Sequence, residues 1–405
     1  MEDSSLPAFI LKPGREKSLL RKHPWVFSGA ISEIRGQPGM GDTVSLQASD
    51  GRFLGWAAYS PKSQIRARIW SFKESEKIDE SFFHRKLDEA IRVRMSVGRY
   101  SLGVDNTMSA CRLVYAESDG LPGFIIDRYS DTLVMQVLSA GAERWRDLVA
   151  RLAIEITGAT RVFERSDVDV RQIEGLPLRI ATIMGNEPPE QITITENGLL
   201  FMVDVRNGQK TGFYLDQRSN RLKIRELASD RDVLDCFCYT GGVTVNAIAG
   251  GAKSITALDA SSEALGLNRK NIEINNLHLE RTNLLEGNVF QLLRQFRDNR
   301  QYFDMVILDP PKFAPTASQV ERASRGYKDI NLLAFKLLRP AGILVTFSCS
   351  GGISADLFQS IVAGAALDAG VNTRILEYLH QDIDHPVSLT FPEGAYLKGL
   401  VIQVV

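Results

Sequence analysis

The sequence has few cysteines, few histidines and no long apolar run. Its four cysteines, Cys111, Cys236, Cys238 and Cys349, are too few and too irregularly spaced for a disulfide framework. The five histidines are scattered and no pair of cysteines has zinc-ligand spacing, so we expect no metal. No run of about 18 apolar residues is present, and the first residues lack the basic and apolar regions of a signal peptide. We therefore expect a cytoplasmic protein that is not bound to a membrane.

An excess of charge of one sign is also absent. The formal net charge is −1 over 405 residues, so the whole chain offers no electrostatic argument for nucleic acid, and any such argument must be local. With 44% hydrophobic and 24% charged residues, the composition is that of a globular protein. The length allows two or three domains.

Residues 232–259 predict a nucleotide-cofactor pocket. They are a short apolar strand, a turn with Gly241, a helix, and a second strand that ends at Asp259, whose carboxylate can accept hydrogen bonds from ribose hydroxyls. Asp235 stands where the dinucleotide fingerprint has glycine. An acid there suits the ammonium group of S-adenosylmethionine and would repel a pyrophosphate. We therefore favour S-adenosylmethionine over NAD as the cofactor.

Two later strands end in residues that can take part in chemistry. Asp309 opens the motif Asp-Pro-Pro-Lys-Phe after the apolar strand 305–308, and Cys349 follows the next strand, 343–347. Neighbouring parallel strands end at the same edge of a sheet, where open α/β folds bind their ligands, so we expect Asp309 and Cys349 to lie close together. The two prolines remove backbone donors and leave a rim that suits a flat nucleobase.

This pair fits methylation of carbon 5 of a pyrimidine. That carbon is a poor nucleophile until a thiolate adds to carbon 6. Cys349 would form that bond, and Asp309 would hold N3 of a cytosine. The pKa of a free cysteine thiol is about 8.5, so the site must lower that pKa or provide a group that accepts the thiol proton. Lys312 or Lys328 could help, and the sequence neither chooses between them nor identifies the base that removes the carbon 5 proton.

The first segment, residues 1–72, carries a local positive patch on short strands that predict a small closed β-barrel. Its basic residues near the aromatic Trp25 and Phe27 include Arg15, Lys17, Arg21 and Lys22. Such a patch can neutralise phosphates and stack bases, which makes these four residues candidate RNA contacts. A run of charge alone is more often a solvated surface.

Residues 73–190 predict a small α+β domain, with a helix at 82–95, three strands, a second helix at 142–157 and a last strand. Residues 191–405 predict a Rossmann-like parallel sheet in which strands and helices alternate. The last two strands, 373–379 and 396–404, lack a long crossover helix between them, so one of them should run antiparallel at the sheet edge. The loop before this sheet contains Gln217 and is well placed to cover the cofactor.

The chain resembles the ribosomal RNA large subunit methyltransferase I family over nearly its whole length. The similar segments include GREKSLLRKHPWVFSGAI, AESDGLPGFIIDRY, KTGFYLDQR, FCYTGG, DPPKF, RGYKDINLLA, TFSCSG and HPVSLTFPEGAYLKG. HPWVFSGAI also resembles the PUA domain of RNA-modifying enzymes. The resemblance implies a cytoplasmic enzyme that methylates carbon 5 of one cytosine in 23S rRNA. It further implies a PUA-like β-barrel, a small central α+β domain and a class I Rossmann-like methyltransferase domain.

The resemblance also implies roles for single residues. Asp259 becomes the ribose ligand, Asp309 the base-holding acid and Cys349 the nucleophile, with Gln217 as a further cofactor contact. Gly287 and Asn288 stand where the family often has paired acids at adenine, and the Asn288 carbonyl can still accept from the exocyclic amine. The expected cofactor site comprises Gln217, Asp235, Gly241, Asp259, Asn288 and Asp309. The expected RNA contacts add Lys312 and Lys328 to the four N-terminal residues.

Two other functions stay open at this point. Related catalytic domains methylate a ring nitrogen or an exocyclic amine, which has its own lone pair and would make Cys349 dispensable. A non-catalytic RNA-binding or assembly factor is the second alternative, and an intact set of Asp259, Asp309 and Cys349 counts against it. A homodimer is possible through exposed edge strands of the middle segment.

Overall fold

The computed structural model of the protein describes residues 7–97, 108–313 and 319–405. The chain divides into two compact units, and each is described here by itself. The first unit contains Met1–Thr195, Val203–Leu215 and Ile383–Gly394, and the second contains Glu196–Met202, Asp216–Asp382 and Ala395–Val405. No helix in the described ranges is long and apolar enough to cross a membrane. The division into three domains at residues 72 and 190 stays a prediction.

The first unit begins with a six-stranded sheet. Its elements are β1 (Ala8–Leu11), α1 (Lys17–Leu20), β2 (Trp25–Phe27), β3 (Ile31–Arg35), β4 (Thr43–Gln47), β5 (Phe53–Tyr59) and β6 (Ile65–Ser71). The strand order is β2-β6-β5-β4-β1-β3, with β1 and β4 parallel. The sequence predicted β2, β4, β5 and β6. It did not reveal β1, which is buried at every position, or β3, which is almost wholly exposed, because neither shows the alternation of a half-buried strand.

A second sheet of five strands follows in the same unit. Its elements are α2 (Glu80–Val97), β7 (Ala110–Tyr115), β8 (Phe124–Tyr129), β9 (Thr132–Val137), α3 (Ala140–Thr157), β10 (Arg161–Ser166), α4 (Val170–Glu174) and β11 (Arg179–Met184). The order is β11-β10-β9-β8-β7, and α2 and α3 share a buried core with it. The predicted helices and strands are confirmed. The sequence missed β11, a half-exposed edge strand with little apolar pattern.

The hairpin of β12 (Ile192–Glu196) and β13 (Leu199–Val203) lies where the chain passes between the two units. Its turn is the predicted Asn197-Gly198, and both residues have positive φ, 50° and 78°. The second unit then contains α5 (Arg218–Leu227), β14 (Asp232–Cys236), α6 (Gly242–Ala249), β15 (Ser254–Asp259), α7 (Ser262–Ile274), β16 (Thr282–Glu286) and α8 (Val289–Asp298). It continues with β17 (Phe303–Leu308), α9 (Val320–Leu337), β18 (Leu338–Ser348), α10 (Ala355–Ala369), β19 (Thr373–Leu379) and β20 (Lys398–Val404).

The seven-stranded sheet of this unit has the order β16-β15-β14-β17-β18-β20-β19. The strands from β16 to β18 pair in parallel. The central residues of β14, β15, β17 and β18 are buried, as expected for strands covered on both faces, whereas the edge strand β16 is partly exposed. The prediction that an antiparallel strand lies at the edge is wrong in its position. The antiparallel strand is β20, which lies between β18 and β19 and pairs with both, so β19 forms the edge. The direction in which successive strands are added to the sheet reverses beside β14. The loop that follows β14 therefore lies at the switch point of the sheet, where open α/β folds bind their ligands.

Candidate active site

The loop between β14 and α6 is built to bring backbone close to a ligand. Phe237 and Tyr239 both have positive φ, 63° and 49°, which is a strained conformation for side chains of this size. Gly241 has φ 84°, and a Cβ there would lie 2.1 Å from Oδ1 of Asn268. Only glycine therefore fits at the start of α6, and such a loop gives a cofactor direct access to backbone groups.

Buried polar side chains hold this loop in shape. Asn268 donates from Nδ2 to Oγ1 of Thr244 at 3.2 Å, and Thr244 donates to Oδ2 of Asp235 at 2.7 Å. Asn271 donates to the carbonyl oxygen of Thr240 at 2.9 Å. The sequence did not single out Thr244, Asn268 or Asn271. These residues lie on the inner faces of α6 and α7, where side chains are usually apolar. Polar residues at such positions could have indicated a functional role.

Asp259 and Asn288 follow two adjacent strands. Asp259 Oδ2 accepts from the Tyr239 amide at 2.8 Å, and Oδ1 accepts from the Ser261 amide at 3.0 Å. Each carboxylate oxygen keeps a lone pair for a further donor such as a ribose hydroxyl. The amide of Gly287 donates to the Asp259 carbonyl at 2.9 Å, which ties the two strand ends together. Asn288 is exposed and caps α8 by accepting from the Gln291 amide, a role that the sequence did not reveal.

Three carboxyl groups concentrate negative charge at this edge. Burial raises the pKa of Asp235 to about 7, the hydrogen bond from Thr244 opposes that rise, and the charges of Asp309 and Asp259 add to it. A bound cation would relieve the repulsion among these acids, whereas a pyrophosphate would increase it. The electrostatics therefore fit a cationic cofactor, as the sequence predicted.

Asp309 follows β17 and is held by a partner from another element. Gln217, in a short turn before α5, is buried and donates from Nε2 to Oδ2 of Asp309 at 2.9 Å. Asn220 donates from Nδ2 to the side-chain oxygen Oε1 of Gln217 at 2.6 Å and to the backbone carbonyl of His380 at 3.1 Å. Gln217 thus orients the acid of the Asp-Pro-Pro-Lys-Phe motif, and its expected contact with the cofactor stays a prediction.

Cys349 follows β18, the parallel neighbour of β17, so the structure brings Cys349 and Asp309 to the same sheet edge. The loop is anchored on both sides of the cysteine: Ser348 and Ser350 are fully buried, while Cys349 is partly exposed. The hydroxyls of Ser350 and Tyr327 lie 3.0 Å apart, and Lys398 donates to the Ser350 carbonyl at 2.8 Å. The sequence missed Tyr327 and Lys398. Cys236 and Cys238 are buried, and burial raises the pKa of both thiols, as expected for core cysteines.

The two lysines proposed near the nucleophile lie in different settings. Lys312 is exposed in the loop after β17, and its charge lowers the pKa of Lys398. Lys328 is on α9 and forms an ion pair with Asp368 of α10 at 2.8 Å. Lys328 therefore has a structural partner on the outer surface of two packed helices, and its role as an RNA contact stays a prediction.

The four N-terminal basic residues, Arg15, Lys17, Arg21 and Lys22, are all exposed. Arg15 lines a cavity of about 260 Å³ together with Trp25 and Phe27. Phe27 is 52% exposed and offers a free ring face, whereas Trp25 donates from Nε1 to Glu117 at 2.8 Å and packs on Phe391. Lys22 Nζ lies 4.5 Å from the centre of the Phe72 ring. The patch thus combines exposed cations with one accessible aromatic ring.

The cofactor that the sequence predicts can be tested against these residues. The Thr240 hydroxyl is buried and has no hydrogen-bond partner in the part of the chain that the structure describes. It lies beside Gly241, whose missing Cβ leaves the backbone open, and near the acids Asp235 and Asp259. An unpartnered hydroxyl, an open backbone and clustered carboxylates fit an adenosine derivative that carries an ammonium and a sulfonium group. Among the described residues, no group of three or more His, Cys, Asp or Glu side chains is arranged to hold a metal ion.

Comparison with known proteins identifies the family of two parts of the chain. Residues 164–386, more than half of the chain, match the family model of S-adenosylmethionine-dependent methyltransferases. Residues 9–72 match the model of a PUA-like domain.

The similarity to curated relatives extends over nearly the whole length of the chain. The chain is 46% identical to ribosomal RNA large subunit methyltransferase I of Klebsiella pneumoniae, over 100% of both sequences. It is 51% identical to the protein of the same name from Shewanella denitrificans, over 97% of this chain and 98% of the relative.

Solved structures share the fold. A protein described as a SAM-dependent methyltransferase from Streptococcus mutans is 22% identical, with a TM-score of 0.83 over 98% of this chain and 100% of that chain. A second structure, of a methyltransferase in complex with SAH, superposes with a TM-score of 0.84 at 22% identity, with the same coverage. At this identity the likeness supports the fold alone.

Proposed function

Because the chain belongs to the ribosomal RNA large subunit methyltransferase I family, we propose that it methylates carbon 5 of a specific cytosine in 23S rRNA. It is an S-adenosylmethionine-dependent methyltransferase. The name of its relatives supports a substrate in the RNA of the large ribosomal subunit. The residues of the site support carbon 5 of cytosine as the atom that is methylated.

The observation that carries the proposal is the shared sheet edge of Asp309 and Cys349. The two residues follow adjacent parallel strands, β17 and β18, and Gln217 orients the acid. Methylation of a nitrogen uses the lone pair of that nitrogen and needs no thiol. A partly exposed cysteine in an anchored loop beside a base-binding acid is what addition to a pyrimidine ring needs.

Cys349 would act as the nucleophile. Its thiolate forms a bond to carbon 6, the double bond between carbons 5 and 6 breaks, and the electron pair moves to carbon 5 and through carbon 4 to N3. After carbon 5 has accepted a methyl group, a base removes its proton. The double bond then re-forms and the bond from Cys349 to carbon 6 breaks, which returns the thiolate.

Asp309 would hold the cytosine. A proton shared between its carboxyl group and N3 balances the negative charge that reaches N3 during the addition. The hydrogen bond from Gln217 to Oδ2 would orient this carboxyl group toward the base. The two prolines after Asp309 keep backbone donors away from that face.

The chain offers a matching set of cofactor contacts. S-adenosylmethionine supplies the methyl group. Asp259 would accept from the ribose hydroxyls, Asp235 would face the ammonium group, and Asn288 would accept from the adenine amine. Gly241 leaves room for the cofactor beside the backbone, and Gln217 and Asp309 would border the methyl group.

The RNA would meet the protein at two places. Around the target base, Lys312 lies close to the acid and Lys328 lies on α9. On the PUA-like domain, the exposed cations Arg15, Lys17, Arg21 and Lys22 would contact phosphates, and Phe27 would stack on a base.

The test uses a 23S rRNA fragment in which 5-fluorocytosine replaces cytosine. The fragment is incubated with the protein and S-adenosylmethionine and run on a denaturing gel. Fluorine cannot leave as a proton does, so the bond from Cys349 to carbon 6 should persist as a shifted band. The band should be absent with Cys349→Ala and present with Cys111→Ala, the matched control at a buried cysteine on β7.

A different result would replace the proposal. If no adduct forms, and Cys349→Ala still transfers methyl groups to unmodified rRNA, the enzyme methylates a nitrogen and Cys349 is structural. Digestion of the methylated RNA to nucleosides and mass spectrometry would then identify the modified base.

A further inference from the structure

Lys398 contacts the loop that carries Cys349. It is the first residue of β20 and the register partner of Ser348, the residue before the cysteine. Its Nζ donates a 2.8 Å hydrogen bond to the carbonyl of Ser350, the residue after the cysteine. The ammonium group is therefore fixed at the residue after Cys349, the backbone of Lys398 pairs with the residue before it, and Lys398 is only partly exposed.

The ionisable groups around this loop come from α9, from the loop after β17 and from β20. Tyr327 on α9 lies within 3.0 Å of the Ser350 hydroxyl. Asp309 and Lys312 follow β17, and Lys398 begins β20. Burial raises the pKa of Tyr327, with charges on Cys349 and Asp309 adding to the rise, which keeps this phenol neutral. Of the two lysines, Lys398 interacts electrostatically with Cys349 and also with Lys312.

The two cations differ in how firmly they are held. Lys312 is an exposed side chain at the mouth of the site. Lys398 is held by its hydrogen bond. Burial lowers the pKa of Lys398, a charged Cys349 opposes that lowering, and the charge of Lys312 adds to it. Interaction between two charges is mutual, so a thiolate that favours the lysine cation is itself favoured by that cation. Lys328 takes no part because it pairs with Asp368.

We propose that Lys398 is a positioning residue that keeps Cys349 in the thiolate form and fixes the loop in which the thiolate lies. The proposal deepens the function proposed above, since it assigns the group that activates the nucleophile. The thiol proton goes to solvent before RNA binds, and Lys398 stays protonated throughout. Loss of the charge should therefore leave the cysteine in place but protonated at neutral pH.

The experiment measures the thiol itself, without RNA or cofactor. The full-length protein is alkylated with iodoacetamide at a series of pH values, and mass spectrometry follows the rate at Cys349. The other cysteines, Cys111, Cys236 and Cys238, are buried. Lys398→Gln, which keeps a hydrogen-bond donor but no charge, should move the midpoint of the rate profile up by about one pH unit or more. Lys398→Arg should keep the midpoint close to that of the unaltered protein.

Three parallel variants make the result decisive. Lys336→Gln, an exposed lysine on α9, should leave the midpoint unchanged. Lys398→Met serves as a second neutral variant if Lys398→Gln does not fold. If the midpoint stays in place in the neutral variant, or moves only in Lys312→Gln, the proposal is wrong.

Methylation of rRNA then separates this proposal from the function on which it rests. With both correct, Lys398→Gln methylates slowly at neutral pH and recovers as the pH rises through the new midpoint, while Cys349→Ala is inactive at every pH. If Lys398→Gln moves the midpoint but Cys349→Ala still methylates rRNA, the thiolate assignment stands and the covalent mechanism fails.

Discussion

Gln217 donates a 2.9 Å hydrogen bond to Asp309, a residue 92 positions later in the chain. The bond from Asn220 to the Gln217 carbonyl fixes which end of the amide faces the acid. Asn220 also donates to the backbone carbonyl of His380, so the residue that fixes the Gln217 amide is itself held in place. The orientation of Asp309 is therefore set before any substrate arrives.

Gln217→Met should slow methyl transfer without removing cofactor binding. The substitution keeps the length of the side chain and removes its hydrogen bonds with Asp309 and Asn220. A hydrogen bond to a charged group contributes about 1.5–3 kcal/mol. We expect the single-turnover rate to fall roughly 10- to 100-fold, with little change in the dissociation constant for S-adenosylmethionine measured by calorimetry. Gln295→Met, at an exposed position of α8, is the control. A large loss of cofactor affinity at an unchanged saturated rate would assign Gln217 to the cofactor alone.

Gly241→Ala should destabilise the fold at the cofactor loop. The new Cβ would lie 2.1 Å from Asn268, whose amide is buried and bonded to Thr244, and the φ of 84° disfavours any side chain. We expect the free energy of unfolding to fall by roughly 1–3 kcal/mol, with loss of cofactor binding. Gly266→Ala, on α7 with nothing within 4 Å of the added carbon, should instead be neutral or stabilising. Equal effects at the two positions, measured by urea unfolding, would contradict this account.

The sequence predicted the parts of the site that are close together in the chain. The loop after β14 and the acid at the end of β15 belong to one strand-turn-helix-strand unit, so their pattern is visible in consecutive residues. The proximity of Asp309 and Cys349 followed from the rule that parallel strands end at one edge.

The partners of these residues could not be read in the same way. Gln217 meets Asp309 across 92 positions, and Lys398 meets Ser350 across 48 positions. Neither pair leaves a local pattern, because each depends on the order of strands in the folded sheet. The insertion of β20 between β18 and β19, which brings Lys398 to the nucleophile loop, is the feature that the sequence placed incorrectly.

Asp235 should make stability depend on pH. Burial raises its pKa from 3.8 to about 7 in the folded protein. Because the folded value lies above the unfolded value, the folded state binds the extra proton between these limits. We follow the free energy of unfolding of the unaltered protein minus that of Asp235→Asn. This difference should be constant below about pH 4, fall by about 4 kcal/mol between about pH 4 and pH 7, and be constant again at higher pH.

Urea unfolding of both proteins at several pH values measures this difference. Asp298→Asn, at an exposed position, supplies a control whose curve should run parallel to that of the unaltered protein. Parallel curves for Asp235→Asn would show that Asp235 titrates at its ordinary pKa in the fold.

The N-terminal cations should determine how RNA binding responds to salt. Arg15, Lys17 and Arg21 are exposed, and Arg15 lines a cavity with Phe27. Each phosphate that these cations neutralise releases a counterion. The affinity for RNA falls as salt rises, so a plot of log affinity against log salt has a negative slope. Replacing all three residues with Gln should make this slope less steep by about 2–3, since each phosphate contact contributes roughly 0.7 for single strands and 0.9 for duplexes. Fluorescence anisotropy with a 23S rRNA fragment at several salt concentrations gives the slope. Replacing Arg269, Lys270 and Lys336, exposed on α7 and α9, is the matched control. An equal fall in both triple variants would show general charge attraction, whereas a fall confined to the first would locate the RNA on the PUA-like domain.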